Sequence, residues 1–89
     1  MATVATPWGN AHTIEEVSLP QRAGERRFSS LVQLLETEKG EVLVRFAYTT
    51  SGVVRRGPVT LRARDLVRFR TALDRTPALR SALLGGEPR

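Results

Sequence analysis

The stretch VVRRGPVTLRARDLVRFR, residues 53–70, places six arginines in eighteen positions and contains no lysine. Guanidinium groups at that density suit anions, because each is planar, permanently charged and able to grip phosphate or carboxylate with two parallel hydrogen bonds. Little else in the chain is equipped for chemistry. Cysteine is absent, which removes thiolate nucleophiles, disulfides and cysteine-ligated metals. His12 is the single histidine, too few for a triad or a multi-histidine metal site. Glu15 and Glu16 alternate across a strand and do not pair, while Glu36, Glu38 and Glu41 flank a turn. Asp65 falls in the first turn of a helix, where it suits the dipole. Gly57-Pro58 lacks the repeated glycines of a phosphate loop. No catalytic constellation, cofactor motif, metal site or small-molecule substrate is evident, and a non-enzymatic role is expected.

The charge is unevenly spread. Residues 1–44 carry Arg22, Arg26, Arg27 and Lys39 against six glutamates, a net of −2. Residues 45–89 carry ten arginines against Asp65, Asp74 and Glu87, a net of +7. Such asymmetry suits a polyanionic partner. Arginine outnumbers lysine thirteen to one, however, a bias that a GC-rich genome also produces. The charge alone therefore leaves a nucleic-acid partner and an ordinary solvated surface both open.

The elements that must position these arginines follow from periodicity. Eighty-nine residues allow one domain with a modest core. TIEEVSL (13–19) reads as a short strand stopped by Pro20, and FSSLVQLLE (28–36) as a second. EVLVRFAYTT (41–50) is the clearest strand, with Val42, Val44, Phe46 and Tyr48 on one face and Leu43, Arg45, Ala47 and Thr49 on the other. Ser51-Gly52 turns the chain into a fourth strand, 53–61, interrupted at Gly57-Pro58. A helix begins near Arg62 with Leu66, Phe69 and Leu73 as its packing stripe; Arg64, Arg68 and Arg75 fall on the opposite, solvated side. Thr76-Pro77 kinks or breaks it, with threonine as N-cap, and Gly85-Gly86 ends it. The expectation is an α+β domain over 12–84: a four-stranded antiparallel sheet, β-β-β-β-α, and a kinked or broken C-terminal helix. Residues 1–11 and 85–89 read as mobile ends, with Trp8 latching the first of them to the body.

From Phe28 to about Leu84 the chain resembles the positive cofactor 4 family of transcriptional coactivators and its small bacterial relatives. The resemblance rests on EKGEVLVRF, a charged-Gly-charged hairpin entering an apolar strand, and on GPVTLRARDLVRFRTAL. There Val59, Thr60 and Leu61 match the family's last-strand ending, and Leu66, Phe69 and Leu73 match its helix stripe. It implies a curved antiparallel sheet, a helix-mediated dimer and binding of single-stranded or melted DNA on the sheet. The family's base-stacking aromatics fall at Glu38 and Thr50 here, so stacking is missing and weak affinity is expected. A family lysine falls near Gly57, beside Arg56, and another basic position falls at Ala47, two residues from Arg45 on the same face.

Arg45, Arg55 and Arg56 are thus the candidate nucleic-acid contacts, on strands and beside apolar neighbours, as single-strand binding requires. Two readings stand: a dimeric module for single-stranded DNA or RNA, in a transcription-related accessory role, and a protein-interaction or assembly module of the same fold. Both expect a homodimer, since Leu31 and Leu35 load one sheet face and Val32 and Leu34 the other, more than one helix covers. The opening MATVATPWGN has neither the basic nor the apolar segment of a secretory signal, and no run approaches the roughly 20 apolar residues of a membrane span. A cytoplasmic protein without a membrane partner is expected.

Overall fold

The computed structural model describes residues 3–55, 57 and 59–85. Seven elements follow one another: β1 (Thr3–Thr6), β2 (Gly9–Ala23), β3 (Arg26–Thr37), β4 (Val42–Thr50), β5 (Val53–Arg55), α1 (Ala63–Leu73) and α2 (Pro77–Leu84). The fold is α+β, with all strands in one antiparallel sheet in the order β1-β2-β3-β4-β5. The sheet has five strands rather than four. The added strand comes from the N-terminal segment read as an arm, for residues 3–11 form β1 and the start of β2.

Pro20 does not stop its strand. It pairs opposite Ser29 inside β2, and its carbonyl accepts from Arg68 Nη2 at 3.1 Å on the side away from β3. β1 covers only Gly9–His12, so β2 has an open edge at residue 20, where a missing N–H leaves no ladder bond unmade. At the other end of the sheet, the expected strand 53–61 is only three residues long. Gly57 has φ +136°, outside strand geometry, and Val59, Thr60 and Leu61 belong to no strand. The Ser51-Gly52 turn into β5 has positive φ at both residues, the twist that a two-residue hairpin needs.

A register shift between Thr13 and Glu15 inserts Ile14 as a bulge; beyond it Glu15 and Glu16, consecutive in the strand, face opposite sides of the sheet. The helices pack on the face bearing Val17, Leu19, Val32 and Leu34, and Leu73 and Leu79 complete that core with Val44, Phe69, Ala72 and Leu83 around it. The packing stripe of α1 is rotated from the expected one. Asp65 and Leu73 are buried and Phe69 packs on the core, but Leu66 is 50% exposed. The C-terminal helix is broken outright, with Asp74–Thr76 between its two parts. Thr76 stands at the N-cap of α2, yet its hydroxyl bonds back to the carbonyls of Ala72 and Leu73. The acceptor at that terminus is Glu15 Oε1, 2.8 Å from the Leu79 amide. Gly85, in the left-handed conformation, caps the end of α2, and the rest of the expected tail lies outside the described residues.

The apolar pair expected to need a partner on the second sheet face is covered by the chain itself. Leu31 and Leu35 are 5% and 1% exposed within the single chain, alongside buried Ala11 and Ala47. The sheet curls onto that face, so that the β1–β2 turn and the middle of β4 line one groove.

Candidate nucleic-acid interface

The densest positive charge lies where β2 ends, β3 begins and α1 starts. Arg22 and Arg27 are cross-strand partners next to the β2–β3 hairpin, whose turn uses Gly24 at φ +64°. Arg22 Nε donates to the Gly24 carbonyl at 3.0 Å, which holds the guanidinium at the hairpin. From the helix side come Arg62, Arg64 and Arg68. These five arginines, with Pro20 and Gln21, line an open groove.

Two nearly buried polar side chains hold the helix arginines in place. Asp65, 2% exposed, accepts from the Arg62 amide at 2.9 Å, from Arg62 Nε and Nη2 at 3.0 and 2.9 Å, and from Arg68 Nη2 at 3.1 Å. Gln21 Oε1 accepts from Nη2 of both arginines at 3.3 Å, and Gln21 Nε2 donates to Ser30 Oγ at 3.4 Å. The Asp65 contact to the Arg62 amide is half of a capping box; arginine at the N-cap has no acceptor to supply the other half. Hydrogen bonds from the Arg62 side chain, opposed by burial and reinforced by the Arg62 amide and Arg68, hold the Asp65 carboxyl well below the usual carboxylate range. The same carboxylate raises Arg62 above its ordinary value.

Asp65 reaches the groove only through the arginines it binds, and Glu25 sits outside it at the hairpin tip. Among the described residues Arg22, Arg27 and Arg64 make no ion pair. Their charge is free for a ligand. No aromatic side chain lines the groove, so its chemistry is bidentate hydrogen bonding to oxyanions without base stacking.

Of the three arginines expected as contacts, the two described, Arg45 and Arg55, lie on opposite faces of the sheet. Arg45 lies opposite Gln33 on the face away from the helices, where its Nε donates to Gln33 Oε1 at 2.8 Å and Gln33 Nε2 donates to Glu16 Oε1 at 2.8 Å. Arg55 pairs with Tyr48 on the opposite face and donates to Thr50 Oγ1 at 3.1 Å. Arg56 lies outside the described residues. The helix arginines, by contrast, are more than a solvated stripe. Arg64 lines the groove, and Arg68 reaches back to the Pro20 carbonyl, Gln21 and Asp65. In the sequence Arg22 and Arg27 enter only the charge count, within a polar run, PQRAGERR, between two strands. The available signal was Gly24 between two arginine-bearing flanks, the mark of a tight hairpin that sets those flanks side by side.

Trp8 does not latch an arm to the body, being 62% exposed at the β1–β2 turn. His12 lies in β2 with Nε2 3.9 Å from Glu36 Oε1 on β3. Among the described residues no helix is long and apolar enough to cross a membrane, and no three His, Asp or Glu side chains form a metal-holding group. The chain matches no protein-family model, no curated protein and no solved structure.

Proposed function

We propose that the protein is a non-enzymatic nucleic-acid-binding module that grips the phosphate backbone through the arginine cradle of β2, β3 and α1. One observation carries this reading: five arginines from three segments of the chain line one groove beside Gln21, and the nearby Asp65 carboxylate is already engaged by Arg62 and Arg68. Clustered cations release counterions when they meet phosphates, which gives affinity without sequence preference. The likeness to positive cofactor 4 proteins, whose sheet-then-helix order the chain shares, favours single strands and a transcription-related accessory role. The cradle itself favours any phosphate-dense strand.

A homodimer belongs to the same reading, with the helices as its interface. With Leu31 and Leu35 covered, the surface we assign to a partner is the exposed apolar set on the helices, Leu66, Val67 and Leu84. That same surface favours the second reading, a protein-interaction or assembly module.

The test is a salt titration of binding to fluorescent oligonucleotides, single strand beside duplex. Arg27→Gln with Arg64→Gln removes two charges outside the intrachain ion pairs and leaves the fold intact. Each phosphate that the variant no longer neutralises should reduce the slope of log affinity against log salt by about 0.7 for a single strand and about 0.9 for duplex. Arg45→Gln and Arg55→Gln should leave the slope unchanged. Absence of binding at about 0.1 M salt would favour the interaction module.

A further inference from the structure

The curl of the sheet creates a second recessed surface, sharing no residue with the cradle. Leu35, Leu43, Ala47 and Val54 line a groove of about 720 Å³ on the face away from the helices, with Trp8 at one side. That size lies within the roughly 300–1,000 Å³ of small-molecule sites. Trp8 is held there by its turn: Thr6 Oγ1 donates to the Gly9 carbonyl at 2.6 Å and accepts from the Trp8 amide at 3.1 Å. An indole kept mostly in water by a fixed turn is surface that an occupant of the groove would bury.

The charge pattern specifies the occupant. Arg45 is the one charged side chain among the described residues lining the groove, and no carboxylate lines it. Its Nε is committed to Gln33 Oε1, which fixes the guanidinium and leaves its terminal nitrogens for another acceptor. Glu16 is reached only through Gln33, so the guanidinium makes no ion pair among the described residues. We propose that this groove binds a small amphipathic monoanion, a carboxylate with an aliphatic or aromatic body, its head on Arg45 and its body between Trp8 and the apolar floor. A nucleic-acid strand carries a charge at every nucleotide and would meet a single cation among the described residues here; a monocarboxylate matches it one to one.

Trp8 is the chain's single tryptophan, so its emission reports the site directly. The experiment titrates the full chain with octanoate and with 4-phenylbutyrate, each beside its neutral amide, and reads Trp8 fluorescence. A saturable change is expected for each acid, with affinity at least about tenfold above its amide. Arg45→Gln should erase that preference while keeping the amide's affinity, Arg45→Lys should keep part of it, and Arg27→Gln with Arg64→Gln should change nothing. If Arg45→Gln does not fold, the acid–amide comparison in the wild type and Arg45→Lys decides. Equal response to acid and amide, no saturable change below about 1 mM, a preference that survives Arg45→Gln, or competitive displacement of octanoate by a single-stranded oligonucleotide would each overturn the proposal. Loss of oligonucleotide binding in the cradle variants bears only on the cradle, so the two readings fail separately.

Discussion

Asp65 is the carboxylate from which the cradle hangs. Its four hydrogen bonds from Arg62 and Arg68 fix where two guanidinium groups stand and tie the start of α1 to β2 through Gln21. Because those bonds depress its folded pKa, its contribution to stability is complete above the ordinary carboxylate range and is lost as pH falls through the folded value. The decline should therefore begin as pH drops below about 4. Urea midpoints at pH 7 and pH 3 check this. Asp65→Asn should lower the midpoint at pH 7 and show a shallower acid decline than the wild type. Equal acid slopes would mean that the glutamates, and not Asp65, set the response. In the sequence Asp65 reads as a dipole complement, because nothing local shows that the helix turns it inward against two arginines.

At the scale of elements, a strand supplies the cap of a helix far along the chain. Ile14, the bulged residue, shifts the alternation of β2 and so aims Glu15 at the first turn of α2, where it meets the Leu79 amide. Proline at the first position of α2 presets the backbone, and the carboxylate satisfies an amide that the helix leaves unpaired. Glu15→Ala should cost about 1 kcal/mol, read from denaturant unfolding, and Glu15→Gln should recover part of it. An unchanged midpoint in Glu15→Ala would show that the contact carries no net stability. The elements differ in how plainly the sequence displayed them. The alternation of Val42, Val44, Phe46 and Tyr48 with Leu43, Arg45 and Ala47 marked β4, since periodicity two admits no other reading. β1 is four short residues beside a turn, too little for any pattern to show. The rotation of α1, which leaves Leu66 half in water, depends on the buried pairing of Asp65 and has no local mark. The candidate site was the least legible part. Its arginines come from segments that share no motif and meet only after the β2–β3 hairpin closes and α1 docks.

For the whole molecule, the charge divided along the chain is not the charge divided in space. Arg22 and Arg27 come from the net-negative half and join Arg62, Arg64 and Arg68 from the positive half, so the field concentrates at one end of β2. Elsewhere the helices leave Leu66, Val67 and Leu84 exposed, apolar surface that a second copy would bury. A symmetric dimer through that surface is expected. Sedimentation at micromolar concentration should give twice 9.9 kDa, and Val67→Glu should return the monomer with its circular dichroism unchanged. A wild-type monomer under those conditions would remove the dimer from the reading.

Pro20 bears on how the protein behaves in a crowded solution. Beyond His12, β2 offers an open row of backbone groups, the kind of margin on which foreign strands dock and fibrils grow. The proline deletes a donor in that row, and Arg68 occupies the adjoining carbonyl with a charged side chain. The outermost strands, β1 and β5, are four and three residues long, too short to template a growing stack. The margin is thus guarded where it is longest. Pro20→Val should leave the protein folded but shorten the lag of thioflavin-positive aggregation on agitation, most of all when combined with Arg68→Gln; an unchanged lag in the double variant would place the protection elsewhere.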